Sequence, residues 1–485
     1  MRAQADPAEL AQRRRFLLAA GAIVLFGLLV RCVYVLLAQV DVPIRGDINQ
    51  YVLYAWNLVH RGVFSSALPD AAQALPDSYR GPGYPSLLAL TMLLAGHSDL
   101  PLRAGGPEGP AILGYASDTW MRYALALQVA LGTATVALAI RLARDCAGRG
   151  AALAAGVLTA FWPHLVVFCG VLLSETLFAF TLALALCLTS AAARDSGARW
   201  RGVAAGIAFG VAYLVNPVVG VFPALAAGLM WRHGAKRPAV LLLGVFLVMP
   251  AAWALRNATL PAGSGSAHER AAQNFVQGSI PQYLTAYNSR LDNEISAEFV
   301  ALADEETRTL LADPAAGLSR IAERMRDDPA FYAQWYLLEK PQLLWDWSIR
   351  IGWGDIYFLQ TRQSPYERIA LLAASKQALQ WINPALTVVT FAVAFWWGFA
   401  ALRRASRRPL AAGLLAVFVL YVTVVHVVLQ AEPRYAVPYR PEQLALVCAA
   451  IGALAAAAQQ RRAAVPVAAA PAEAQRRVDV DGASA

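Results

Sequence analysis

Ten apolar stretches recur along this chain, at 15–38, 121–143, 150–168, 171–191, 202–215, 217–231, 238–256, 381–401, 409–430 and 441–459. About 20 apolar residues in a helix cross the roughly 30 Å hydrocarbon core of a bilayer. Only a helix or a closed barrel satisfies its own backbone polar groups there. The expected fold is therefore an all-α polytopic membrane protein with about ten transmembrane helices. Composition excludes a soluble class, because 58% of the 485 residues are hydrophobic, 15% are charged and the mean hydropathy is +0.46. The first stretch follows Arg13-Arg14-Arg15 and lacks a small-residue cleavage site, so it reads as an uncleaved anchor.

Charge orients the spans. With the N-terminus inside, Arg141/Arg144/Arg149, Arg194/Arg199/Arg201, Arg232/Lys236/Arg237, Arg403/Arg404/Arg407/Arg408 and Arg461/Arg462 all fall on the cytoplasmic side. The same parity makes Tyr84 to Gly96, too short to cross, a segment on the outer membrane surface. Asn216-Pro217 either kinks one long helix or turns a hairpin between two short ones, and charge favours the hairpin. The net charge of +9 does not indicate nucleic acid, since residues 257 to 378 hold eleven Lys/Arg against fifteen Asp/Glu. Excess positive charge sits in the short loops.

These assignments divide the chain into a cytoplasmic N-terminus with the first span (1–38), a first outer loop (39–120), a transmembrane bundle (121–256), a mainly helical outer domain (257–380), the C-terminal spans (381–460) and a disordered cytoplasmic tail (461–485). Within the outer domain, Leu291 to Leu311 and Leu318 to Arg326 are patterned as helices, punctuated by Pro314 and Pro329. The five cysteines lie in or beside apolar runs without metal or disulfide spacing. They read as packing residues.

The chemistry-bearing residues cluster at outer span ends. Asp47 opens an amphipathic run with Tyr51, Tyr54, Ala55 and Leu58 on one face. It is a candidate catalytic carboxylate, and with Gln50 three residues on it is also a candidate helix cap. Arg80, in the Gly/Pro-rich turn Ser78 to Pro85, suits a phosphate by paired hydrogen bonds, or else snorkels among headgroups. Glu175 begins a span, where an ionisable group serves a site or pairs with Arg256 or Arg434. Arg256-Asn257 and Glu432-Pro433-Arg434-Tyr435 occupy outer span ends too. Convergence of these groups would suit a charged, phosphate-bearing substrate; a structural Glu/Arg network is the alternative. His164 and His426 lack spaced partners, so no metal and no cofactor is assigned, with a divalent cation left open. Trp335, Trp345, Trp347 and Trp353 suit interfacial anchoring better than sugar stacking.

In order and placement, these motifs resemble the GT-C superfamily of membrane glycosyltransferases, specifically bacterial relatives of the dolichyl-phosphate-mannose protein mannosyltransferases and the aminoarabinose transferases. The resemblance is carried by Gly46-Asp47 with Tyr51 and Ala55, by Tyr79-Arg80-Gly81-Pro82-Gly83-Tyr84-Pro85, by Ser174-Glu175, by Arg256-Asn257, by Asp328-Pro329-Ala330-Phe331-Tyr332 and by Glu432-Pro433-Arg434-Tyr435. It implies that Asp47 is the catalytic base, that Arg80 binds the donor phosphate and that Glu175 lines the site; by their own placement and charge, Arg434 is expected to join Arg80 at the phosphate, and Arg256, Glu432 and Tyr435 to line the substrate site. The chain departs from the mannosyltransferase pattern in having Ile48 after Asp47 and an inserted stretch near Arg103 to Pro110. The implied activity is transfer of a hexose or pentose from a polyprenyl-phosphate donor to a lipid, glycan or protein acceptor, inverting the anomeric centre, at the outer face of the bacterial inner membrane. A transporter or flippase of lipid-linked substrates is the rival class; it predicts duplicated halves and broken helices with polar residues near the midplane. A lipid-linked glycan polymerase or ligase would share the donor class but prefer a long oligosaccharide.

Overall fold

The computed structural model describes residues 6–40, 44, 46–96, 100, 102–106, 109–112, 118–195, 197–261, 264–349, 355–403 and 409–464. Arg45, Trp353, Arg404, Arg407, Arg408 and the tail beyond 464 lie outside these described residues, as do the side chains of the Arg103 to Pro110 insert. The described residues are mostly helical. In order the helices are α1 (Pro7–Leu37), α2 (Asp47–Arg61), α3 (Gly83–Ala95), α4 (Thr119–Ala147), α5 (Arg149–Phe161), α6 (Pro163–Val167), α7 (Glu175–Arg194), α8 (Arg199–Val215), α9 (Phe222–Arg232) and α10 (Lys236–Asn257). They continue as α11 (Ala267–Gly278), α12 (Tyr283–Ser289), α13 (Glu294–Ala312), α14 (Pro314–Asp327), α15 (Pro329–Gln334), α16 (Lys340–Leu344), α17 (Pro365–Arg368), α18 (Ala370–Leu402), α19 (Leu410–Val428) and α20 (Arg440–Ala464). Two small antiparallel pairs join 39–40 to 361–363 and 102–106 to 109–112.

Among the described residues, seven helices are long and apolar enough to cross a membrane, or eight if α5 and the bent segment after it count as one span. Each of the ten apolar intervals is helical, but α8, α9 and the α5–α6 pair fall short of that test singly. The helix α3 has 13 residues and packs on α2 and α4, in keeping with a segment too short to span.

Glycines let two of these helices approach closely. A Cβ on Gly202, Gly206 or Gly210 of α8 would lie 2.7 Å from the Pro238 carbonyl, 2.6 Å from the Leu242 carbonyl and 2.5 Å from the Met249 sulfur of α10. Small residues four apart make such a seam, the usual device for helix packing in lipid. Contacts advance in the same direction along both helices, so α8 and α10 run parallel and the chain between them returns. It does so through a break at Asn216, whose side chain caps the 3₁₀ turn Pro217–Val221, and then through α9.

The segment between α10 and α18 is a stack of capped helices. Pro314 and Pro329 each occupy a first helical position, preceded by the capping carboxylates Asp313 and Asp328. Lys340 fastens this segment to α19. It is fully buried and donates to the carbonyls of Gly278 at 2.9 Å and Leu429 at 2.6 Å. Burial pushes its amine down to about 7.

Because the unfolded lysine holds its proton to higher pH, folded Lys340 binds less proton than the unfolded chain between about pH 7 and the ordinary lysine range. Stability of the wild type should then rise with pH across that window, by at most about 1.4 kcal/mol per pH unit. Thermal midpoints from pH 7 to 9.5, compared with Lys340→Met, should show a slope in the wild type that the variant lacks.

Candidate active site

Gly46 has φ +56°, a left-handed backbone that residues with a Cβ rarely adopt, and it turns the chain sharply into α2. Asp47 is thus the first helical residue, with its carboxylate at the positive end of the helix. It does not cap that helix through its side chain, and Gln50, the other half of the capping alternative, is turned elsewhere. Each Asp47 oxygen instead accepts from a different arginine. Arg80 Nη2 donates to Oδ1 at 2.6 Å and Arg434 Nη2 donates to Oδ2 at 2.7 Å.

The two arginines come from remote segments. Arg80 lies in the loop before α3 and also donates through Nε to Gln50 Oε1 at 2.6 Å. Its guanidinium stands 5.2 Å from the Tyr51 ring and 5.6 Å from the Tyr79 ring. Arg434 lies in the 3₁₀ turn Pro433–Tyr439 between α19 and α20 and donates through Nε to Glu175 Oε1 at 2.7 Å. The Phe358 ring is 4.5 Å from its guanidinium. Glu175, the first residue of α7, is buried, and its second oxygen accepts no hydrogen bond among the described residues. A chain of four charges results: Arg80, Asp47, Arg434 and Glu175.

A third of the Asp47 side chain is open, whereas Arg80, Arg434 and Glu175 are nearly closed off. Burial by itself would raise the Asp47 carboxyl; the guanidinium of Arg80 and then that of Arg434 outweigh it and hold the group well below the usual carboxylate range. Arg80 is driven the other way. Burial works against its charge, but Asp47 more than compensates and raises it above the ordinary arginine value.

The loop bearing Arg80 is fixed from behind. Asp77 accepts from the Tyr54 hydroxyl, from the Tyr79 amide at 3.2 Å, and from the Ser66 amide and hydroxyl at 3.1 Å each. A Cβ on Gly81 would stand 2.4 Å from the Leu214 carbonyl, and one on Gly83 2.7 Å from the Val215 side chain. Glycine is needed there because the loop lies directly on the end of α8.

Arg256 does not join the carboxylates. It donates to the Asp77 carbonyl at 2.6 Å and stacks near Trp253 and Phe64, so it supports the Arg80 loop instead of lining the cluster. Nor does it pair with Glu175, as one alternative had it. Glu432 bears on Arg434 electrostatically, and Tyr435 donates to Gln430 Oε1 at 3.2 Å while stacking on His426. His164 contacts the Trp347 carbonyl at 2.7 Å, and His426 contacts the Gln430 carbonyl and the Tyr439 hydroxyl, each at 3.1 Å. Both histidines are buried among protein partners. Among the described residues no three His, Cys, Asp or Glu side chains gather as a metal site.

Sequence reasoning missed Arg270. It lies in the first turn of α11, half-buried, and carries no ion pair among the described residues. Its charge bears on Asp47, Arg80, Tyr51 and Tyr435, while burial, with Arg80 beside it, lowers its own pKa. No motif surrounds it, so nothing in the one-dimensional pattern singles it out.

No family model and no curated protein matches the sequence. Among solved structures, the chain is similar to the archaeal oligosaccharyltransferase AglB from Archaeoglobus fulgidus in complex with an inhibitory peptide and a dolichol-phosphate, with 13% identity, a TM-score of 0.43 and coverage of 92% of this chain and 51% of that one. It is also similar to ArnT from Cupriavidus metallidurans bound to undecaprenyl phosphate, with 17% identity, a TM-score of 0.43 and coverage of 93% and 66%. The likeness is of loose overall fold, and the chain spans about half the length of AglB.

Breaking one member of a buried ion pair strands the other, which costs about 3–5 kcal/mol, whereas removing both costs less. Arg434→Met should therefore lower the thermal midpoint more than Arg434→Met combined with Glu175→Gln. A double-mutant cycle on purified protein measures the difference.

Proposed function

We propose that the chain is an integral membrane glycosyltransferase that moves a sugar from a polyprenyl-phosphate donor to a lipid, glycan or protein acceptor, with inversion. The observation that carries this reading is the partly open Asp47 carboxylate held between Arg80 and Arg434. A nucleophile needs a proton acceptor, and a departing phosphate needs cations; this cluster supplies both within one side-chain length. In this reading the ten helical intervals cross the membrane with the N-terminus inside. Asp47, Arg80, Glu175 and Arg434 then face the periplasm from the inner membrane, with 257–380 as the outer domain.

The acceptor oxygen or nitrogen attacks the anomeric carbon as the bond from that carbon to the phosphate oxygen breaks. Polyprenyl phosphate leaves with the bonding pair, so no proton donor is required to expel it, unlike the hydrolytic glycosidases. Arg80, Arg434 and Arg270 provide the countercharge for the phosphate, and no metal or other cofactor is invoked for that task. Donor phosphate competes with Asp47 for the two guanidiniums. When it takes them, the carboxylate is freed and its basicity rises toward the ordinary range. Asp47 then accepts the acceptor's proton, and the proton passes to the departing phosphate, the stronger base. Arg256 holds the Arg80 loop, while Glu175, Glu432 and Tyr435 set the position of Arg434.

Asp47→Asn keeps the side chain's size and removes the base, so sugar transfer in membranes supplied with polyprenyl-phosphate sugars should fall at least about 100-fold. Wild-type rates from the asparagine enzyme would sink the assignment. Arg80→Ala should raise the donor KM with little change in that of the acceptor. The depressed carboxyl keeps Asp47 ionised in the free enzyme, so kcat/KM should show no acid limb from Asp47 above about pH 4. The acid limb of kcat, which reports the donor complex, should lie at higher pH.

A further inference from the structure

At the end of α7 remote from Glu175, three helix ends border an open surface depression that carries basic side chains. Arg199 at the start of α8, Trp231 near the end of α9, and Lys236, Arg237, Val240 and Leu241 at the start of α10 line an open surface cavity of about 500 Å³. Three cations and no carboxylate line it. Two acids near the ends of α4 and α7 are already engaged, Asp195 by Arg201 at 3.1 Å and Asp145 by Arg141 at 3.1 Å and Arg194 at 2.7 Å. None of the three lining cations forms an ion pair among the described residues.

Farther along α10 from the cations, continuing beyond the cavity itself, the helix face is apolar and open. Val240, Leu247 and Val248, spaced along one face of α10, are 59%, 52% and 64% exposed. Trp231 is half exposed, and the Lys236 amine lies 5.4 Å from its ring. A cation cluster with an indole at its level and an apolar stripe beneath matches the amphipathic profile of a lipid, with headgroup above and chain below. Topogenic charge accounts for basic residues at span ends, but it requires neither a shared cavity nor the absence of counter-carboxylates.

We infer that this cavity binds one anionic glycerophospholipid, its phosphate and net negative headgroup held by Arg199, Lys236 and Arg237 and one acyl chain lying along Val240, Leu247 and Val248. Zwitterionic lipids carry their own cation and leave the three protein charges uncompensated. The site is independent of the proposed sugar transfer and lies at the opposite ends of α7, α8 and α10 from Asp47.

The test uses the full chain in phosphatidylcholine vesicles doped with chain-brominated phosphatidylglycerol or chain-brominated phosphatidylcholine. The Trp231 signal is taken as the difference between wild type and Trp231→Phe. Brominated phosphatidylglycerol is expected to quench it at mole fractions at least about tenfold lower than brominated phosphatidylcholine. Arg237→Gln should lose about fivefold of that preference, the worth of one cation near an anionic surface, and Arg199→Gln/Lys236→Gln/Arg237→Gln should abolish it. The conservative Arg199→Lys/Arg237→Lys variant, which keeps the charge and the span orientation, should retain it. Equal quenching by the two lipids in the wild type identifies an ordinary lipid boundary and overturns the inference, as does an undiminished preference in Arg237→Gln.

Discussion

The Asp47 carboxylate is satisfied by two guanidiniums that the chain delivers from 33 and 387 residues away. Most of the architecture around it exists to bring those charges together. The left-handed turn at Gly46 places the acid at a helix start, the span α7 carries Glu175 to the same level, and the 3₁₀ turn after α19 projects Arg434 between them. A cluster of this kind is costly to assemble, because each ion gives up water and is repaid only when its partners sit in good geometry. Replacing buried ions of this kind by well-packed hydrophobic residues is often neutral or stabilising, so the cluster is weak evidence of a contribution to stability.

Much of this arrangement was legible in the sequence, for a physical reason. Ionisable groups at the ends of apolar runs are confined to one of two membrane faces, so Asp47, Arg80, Glu175 and Arg434 could be brought to one level by counting spans. The rotation of each helix about its axis was not legible. Arg256 shares that level yet turns toward the Asp77 carbonyl, and Tyr435 turns toward Gln430 although its neighbour Arg434 enters the cluster. Gln50 looked like a capping partner for Asp47 and instead orients Arg80. Arg270 was invisible because α11 belongs to no recognisable motif and reaches the cluster only through the tertiary fold.

The lengths of the helices were similarly half legible. Pro314 and Pro329 mark helix starts by local chemistry, and the observed starts coincide with them. Whether α8 and α9 are separate crossings depends on a seam between α8 and α10, formed by glycines spaced four apart in a sequence rich in glycine everywhere. Hydropathy reports transfer to lipid; it carries no information about which small residues face another helix.

That seam has a reach beyond its own two helices. The end of α8 is the surface on which Gly81 and Gly83 rest, and the end of α10 supplies Arg256, which grips the same loop from its other side. Two parallel helices, locked in register, thus hold the residues that present Arg80 between their ends. Sliding one helix by a single turn, about 5.4 Å, would displace the loop that holds the buried Arg80 guanidinium against Asp47, so changes on this buried glycine face reach the charge cluster as well as the scaffold.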